Sequence, residues 1–172
     1  RATVTLLEDN KYFGLAREQV TLMMQGKVPC LQDSEGRIAI NSSNTIEMKP
    51  HGHGDVHGLL LQTGLAEKWA KEGRKWLFFF QDTNSLAFRP LCACIGASKE
   101  MGLAMNSFSV PRSPGEACGA ICRITDPKTK ISRVSSVEYN LLGPLLKGGD
   151  IAGPDGVNSP YPGNCNILLF EL

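Results

Sequence analysis

Histidine is scarce in this chain: there are three in 172 residues, and all three fall between positions 51 and 57. No histidine follows His57, so a metal centre that gathers imidazoles from distant segments is excluded. Long apolar runs are missing as well. None approaches the ~18–20 residues that span a bilayer, and no signal-peptide pattern precedes Leu6, so no membrane partner is expected. A surplus of one charge is absent, with 18 Lys+Arg against 17 Asp+Glu. A dedicated nucleic-acid binder usually concentrates basic charge, so nucleic acid is not an expected partner. Paired C-x2-C spacing is missing too; Cys92-Ala-Cys94 and Cys118-x3-Cys122 do not make a zinc signature. The six cysteines read as free, mostly buried thiols in a reducing compartment.

What is present suits one globular domain, with 42% apolar residues. The chain opens on Arg1 and closes on Ile167-Leu-Leu-Phe170 without a polar tail, and is read as an internal piece of something longer. Helical and strand-like periods alternate, which favours an α/β layer architecture. Residues 3–13 read as a helix. Residues 19–24, with Val20, Leu22 and Met24 alternating, read as a strand. Turn chemistry at 33–36 followed by Arg37-Ile-Ala-Ile40 suggests a hairpin. Two short helices are expected at 55–62 and 64–72. Trp76-Leu-Phe-Phe-Phe80 is the most apolar run, and being unbroken it fits a central strand covered on both faces. A helix over 84–97 and strands at 106–110, 119–124 and 134–139 follow. Residues 148–163, dense in Gly and Pro, read as a loop.

Polar chemistry concentrates in four places that the α/β pattern puts at strand ends, where open sheets bind ligands. The first is Lys49-Pro-His-Gly-His-Gly-Asp-Val-His57. Gly52 and Gly54 leave backbone N–H groups open to a ligand, and Asp55 is suited to cap the following helix. The second is Asp82 with Gln81, Thr83 and Asn84; an acid leaving a sheet needs a metal, a donor or water, or else caps the next helix. The third is Glu138, alternatively a solvated strand residue. The fourth is Asn164-Cys-Asn166, for which a helix N-cap is the simplest structural role. Three readings of the histidine loop stand at this point. His51-Gly-His53-Gly-Asp55-Val-His57 is similar to the H-x-H-x-D-H pattern of metal-dependent hydrolases, with Val56 where the last histidine belongs. Gly52-x-Gly54-x3-Gly58 partly matches a dinucleotide fingerprint, without the acid expected ~20 residues on. The third reading is a nucleotide-binding turn of another kind.

Five strings occur in order along the chain: Lys49-Pro-His-Gly-His-Gly-Asp55, Phe80-Gln-Asp-Thr-Asn84, Asn106-Ser107 with Val110-Pro-Arg112, Val137-Glu-Tyr-Asn140, and Pro162-Gly-Asn164. With Leu6-Leu-Glu-Asp-Asn-Lys-Tyr-Phe-Gly14 they closely resemble UDP-sugar pyrophosphorylases, a branch of the UTP–monosaccharide-1-phosphate uridylyltransferases. The resemblance implies a Rossmann-like, mixed-sheet α/β nucleotidyltransferase fold. It makes residues 1–172 the central part of a catalytic domain, incomplete here.

The implied reaction joins UTP and a sugar 1-phosphate into a UDP-sugar and pyrophosphate, with magnesium, in the cytoplasm. Carried over by motif, Gly52 would offer its backbone to uracil and His53 would lie by the phosphates as a catalytic group. Asp82 would hold the metal, with Asn84 beside it. Gly119 and Glu138 would face the sugar hydroxyls, with Asn166 close by. The chain alone is then expected to be inactive. The competing expectations are a uridine-nucleotide-binding module without catalysis, and a metal-dependent hydrolase using the histidine loop.

Overall fold

The chain forms two compact units, one ending at Glu72 and one running from Gly73 to Leu172. The computed structural model describes residues 2–172.

The first unit begins with α1 (Ala2–Asp9). The helix expected over 3–13 stops there, because Lys11, Tyr12 and Phe13 all take left-handed backbone angles, with φ near 50°. Such a run costs about 1–2 kcal/mol per residue, a cost that helical periodicity does not reveal. The strand expected at 19–24 is not formed. A 3-10 turn occupies Arg17–Gln19, and the alternating residues beyond it join no ladder; Leu22 and Met24 are 50% and 90% exposed. Alternation without a neighbouring strand leaves the backbone groups to water. The ladder lies further on, where β1 (Lys27–Pro29) pairs antiparallel with β2 (Met48–Pro50). Asp33 does close a turn by accepting from the Glu35 N–H at 3.0 Å. The return strand expected at 37–40 amounts to two isolated bridges, Leu31↔Ile38 and Ile40↔Ile46.

Two helices follow close to the expected bounds, α2 (Asp55–Gln62) and α3 (Leu65–Lys71). Gly64 and Gly73, at φ +68° and +84°, supply the left-handed residues on which each helix ends. Leu60 of α2 is buried at 5% exposure.

The second unit holds β3 (Trp76–Phe79), α4 (Leu91–Met101), β4 (Met105–Val110), β5 (Ala120–Thr125), β6 (Ser132–Val137), α5 (Tyr139–Leu145) and β7 (Gly163–Glu171). These strands form one sheet in the order β3-β7-β5-β6, with β4 also on β7. Every ladder among the described residues is antiparallel. The α/β class expected from the sequence is the one observed.

The centre of the sheet lies elsewhere than expected. β7 is flanked by both β3 and β4, and its Ile167 and Leu169 are 4% and 0% exposed. Among the described residues β3 has β7 as its one strand neighbour; Trp76–Phe79 are half-buried and Phe80 is exposed, so the run is not covered on both faces. Its aromatics instead pack on one another, Phe78 on Phe80 at 5.2 Å and Phe80 on Phe88 at 4.7 Å between centroids. Stacking of that kind makes an unbroken apolar run at a sheet edge as well as in a centre. The helix expected over 84–97 is split into a 3-10 turn at Ser85–Phe88 and α4, with Pro90 at the junction. Asn164 is the second residue of β7 and caps no helix. β5 and β6 form a hairpin whose turn is held by Asp126, which accepts the Lys128 and Thr129 N–H groups at 2.7 and 3.1 Å. Ala120, Cys122, Val137 and Leu142 make the core under this hairpin's base.

Candidate functional site

In the first unit, β2 ends at Pro50 and the chain turns through His51–Gly54 into α2. Asp55, expected at the N-cap, is the first helical residue, and Gly54 holds the cap position. The Asp55 carboxylate faces the His51 ring at the surface of the turn, Nδ1 to Oδ1 at 2.7 Å. Gly52 has φ +146°, a conformation open to glycine, and no atom lies within 4 Å of where a methyl group would stand. Its N–H donates to the Gln25 side-chain oxygen at 3.0 Å. Gln25, Gly52 and His53 line a cleft of about 350 Å³ with Met23, Asp55 and Val56. The Gly52 N–H, expected to stand open to a ligand, is thus taken by Gln25, and the cleft offers that amide, the open face of a glycine and an exposed imidazole beside apolar side chains. Such a surface suits a flat heteroaromatic ligand that carries polar edges. Sequence reasoning missed Gln25; its signal was an amide next to Gly26, directly after an apolar alternation.

In the second unit, the register puts the remaining candidates at one end of the sheet. Phe79 pairs with Leu168, so the turn carrying Asp82 and Asn84 leaves β3 at the end where β7 carries Asn164 and Asn166. Asp82 is exposed there, and its carboxylate has no hydrogen-bond or ion-pair partner among the described residues. Asn84 is half-buried and its N–H donates to the Gln81 carbonyl at 2.9 Å.

Gly119, Glu138 and Asn166 come together through two linking side chains. A methyl group at Gly119 would lie 3.1 Å from Ser136 Oγ and 3.8 Å from Glu138 Oε1. Asn164 Nδ2 donates to Ser136 Oγ at 3.1 Å and to Asn166 Oδ1 at 3.0 Å. Between Ser107↔Leu168 and Ser109↔Asn164 the ladder is bulged, and inside the bulge Asn166 sits at φ +51°. Bulges re-aim side chains, and this one frees Asn166 from the pleat. The neighbouring Ala120 points its methyl into the core at 0% exposure, leaving the polar side to Gly119. Sequence reasoning did not find Ser136, because a serine in an exposed strand carries no signal of its own.

A buried charged group stands behind this cluster. Arg112 is 1% exposed and its guanidinium meets Asp150 at 2.8 Å, Ser159 Oγ at 2.9 Å and the Tyr161 carbonyl at 3.1 Å. Burial alone would raise the Asp150 carboxyl. Hydrogen bonds from the Gly115 N–H and the Ser159 hydroxyl, together with Arg112, outweigh it and hold the group below the usual aspartate range.

The six cysteines are free, as expected, but Cys94 and Cys122 alone are fully buried. Burial pushes the thiols of Cys94, Cys122 and Cys165 up, so these three are poor nucleophiles. No three His, Cys, Asp or Glu side chains converge as a metal cage among the described residues. Nor is any helix among them long and apolar enough to cross a membrane.

The fold is similar to that of two solved structures. A UDP-N-acetylglucosamine pyrophosphorylase from Trypanosoma brucei matches with TM-score 0.73 at 23% identity, over 99% of this chain and 33% of that one. A structure described as the same kind of enzyme from Entamoeba histolytica matches with TM-score 0.77 at 20% identity, over 99% of this chain and 40% of the other. The family model for UTP–glucose-1-phosphate uridylyltransferase matches residues 1–89. UDP-sugar pyrophosphorylases from Oryza sativa subsp. indica and Arabidopsis thaliana are 46% and 47% identical over 99% of this chain. The chain therefore belongs to the UTP–glucose-1-phosphate uridylyltransferase family and is similar to its UDP-sugar pyrophosphorylases. It spans 28% of the length of those two relatives.

Proposed function

We propose that this chain carries part of the machinery of a UTP–sugar-1-phosphate uridylyltransferase, which forms a UDP-sugar and releases pyrophosphate. The observation that carries this reading is the convergence of Gly119, Glu138 and Asn166 at the end of the sheet where Asp82 emerges. A sugar has many hydroxyl groups, and a carboxylate, two amides and a bare backbone edge supply acceptors and donors for them. Glu138 accepts from sugar hydroxyls, and Asn166 and the backbone at Gly119 fix the ring's orientation. Gly52 presents its backbone to the uracil edge, with Gln25 beside it, and His53 donates to a phosphate oxygen.

Asp82 fits magnesium. An exposed carboxylate without a protein partner is the usual anchor for this ion, which keeps most of its waters and takes its other ligands from phosphates. When bound, the ion neutralises charge that builds up on the phosphate oxygens during attack on the α-phosphorus. The protein's part is then to hold two substrates in line and to supply fixed dipoles where charge develops. Asn84, next to Asp82, restrains the turn that presents the carboxylate. A cytoplasmic enzyme fits the free thiols.

The full-length protein, given UTP, a sugar 1-phosphate and magnesium, should release pyrophosphate, and the 172-residue chain alone should release none. UTP binding without pyrophosphate from the full-length protein would turn the reading into a nucleotide-binding module. Stoichiometric zinc by elemental analysis would favour the hydrolase reading instead.

A further inference from the structure

We infer that Arg112, Asp150 and Ser159 are positioning residues, a buried clamp that sets the gap between Gly119 and Asn164 and so the shape of the sugar end of the site. The inference rests on the reading of Gly119, Glu138 and Asn166 as the sugar-facing group. None of the three clamp residues needs to touch substrate.

The clamp joins three stretches of irregular chain. Arg112 Nε donates to the Tyr161 carbonyl at 3.1 Å, and Nη1 reaches the Glu116 carbonyl at 3.4 Å. Asp150 takes the Arg112 guanidinium and the Gly115 N–H on one oxygen, each at 2.8 Å, and the Ser159 hydroxyl on the other at 2.7 Å. The Ser159 N–H returns to the Arg112 carbonyl at 2.7 Å. Residues 112–116, Asp150 and residues 159–161 are thereby fixed to one another.

Each outer stretch runs within three residues into the polar cluster. From Glu116 the chain passes through Cys118, whose N–H donates to the Glu116 carbonyl at 2.7 Å, to Gly119. From Tyr161 it passes through Pro162 to Asn164. The two ends then meet, with the Asn164 N–H donating to the Gly119 carbonyl at 2.7 Å and the Ile121 N–H to the Pro162 carbonyl at 2.8 Å. These two bonds are the one bridge between β5 and β7, at Ala120↔Gly163, so the clamp braces from outside a spacing that the ladder holds at a single point. The tolerance is narrow. A methyl group at Gly163 would come within 3.0 Å of Cys118 Sγ.

Stability alone is a poor account of such a group. A buried ion pair loses much of its attraction to desolvation, and apolar residues of similar volume often hold a core as well or better. What the pair adds is one geometry. The forked guanidinium meets a carboxylate, a hydroxyl and carbonyls in fixed directions, which an apolar plug would not. The Gly- and Pro-rich stretch 148–162 has little regular structure, so without directional bonds it would sample many arrangements.

The test uses Arg112→Lys and Ser159→Ala in the full-length protein, with Glu138→Ala as the control that touches the sugar directly. Arg112→Lys keeps the charge and loses the fork; Ser159→Ala keeps the ion pair and loses the bridge. Both should raise KM for the sugar 1-phosphate roughly tenfold while KM for UTP stays within about twofold. Amide exchange at Asn164 and Ile121, the donors across the gap, should quicken about tenfold, with the Leu169 amide in the middle of β7 unchanged. If Glu138→Ala raises the sugar KM and the clamp variants do not, or if they raise both Michaelis constants alike, the positioning role is overturned. If Glu138→Ala leaves the sugar KM untouched, the sugar reading is what fails. The exchange rates then decide the clamp on their own, and an unchanged Asn164 amide in a folded Arg112→Lys protein refutes it.

Discussion

Up to Glu72 the chain presents its candidate groups on backbone turns over a thin core. From Gly73 onward it presents them at strand ends braced by a buried ion pair. The contrast shows in the two charge pairs nearest the candidate residues. His51 and Asp55 form theirs with side chains 62% and 25% exposed, whereas Arg112 and Asp150 form theirs at 1% and 9%. An exposed pair is worth about 0–1 kcal/mol, because water competes and screens it. A buried one leaves an uncompensated charge when a partner is removed, which costs about 3–5 kcal/mol. The first unit relies on glycine and turn geometry for its shape, and the second on polar groups withdrawn from water.

The sharpest way to break this contrast is Asp150→Ala. It should lower the stability of the protein by about 3–5 kcal/mol, read from the denaturant midpoint at constant slope. A loss below 1 kcal/mol would put the two pairs in the same class. The acid side gives an independent reading. The Asp150 carboxyl lies below its ordinary value of 3.8 in the fold. Its contribution is therefore complete above that value and lost as the pH falls through the lower, folded-state value. Wild-type stability should fall more steeply in that acid window than that of Asp150→Asn. Equal slopes would mean that the carboxylate gains nothing from its partners.

Next in size is Asp82→Asn in the full-length protein. It should cost on the order of 10²–10³ in turnover at saturating magnesium, the scale of losing one electrostatic partner of the transition state. Turnover within threefold of wild type would remove Asp82 from the metal role. Glu138→Ala should be milder, raising KM for the sugar 1-phosphate by about tenfold and leaving that for UTP nearly unchanged. Equal effects on both would contradict the reading of Glu138 as a sugar-facing residue.

The same contrast explains what could be read in the sequence. Elements that rest on local chemistry were legible: α2 and α3 lie close to their expected bounds, and the turn expected at 33–36 closes on Asp33. The group Gly119, Glu138 and Asn166 was reached by motif, and the register brings its members together. Features set by non-local pairing were not legible. Nothing in Ile167–Phe170 announces the central strand, because that rank depends on β3 and β4 arriving on either side from positions 76 and 105. Val20, Leu22 and Met24 alternate like a strand and have no strand partner among the described residues. The clamp was hidden for the same reason, since Arg112 and Asp150 stand 38 positions apart and each alone reads as a surface charge.

The smallest effect is also the finest probe of the first unit. His51→Ala removes the ring that faces Asp55 across 2.7 Å, yet the turn keeps its other supports. The Asp55 N–H still donates to the Gly52 carbonyl at 3.2 Å, and the Gly52 N–H to Gln25 at 3.0 Å. Both groups of the pair reach solvent, so the stability loss should stay under about 1 kcal/mol. Gln25→Ala removes the side-chain acceptor of the Gly52 N–H, and should weaken UTP binding more than His51→Ala does while costing no more stability. The two variants therefore separate the ion pair from the backbone contact as the source of the turn's shape. If His51→Ala proves the more damaging to UTP binding, the imidazole governs the turn, and the first unit depends on side chains as the second does.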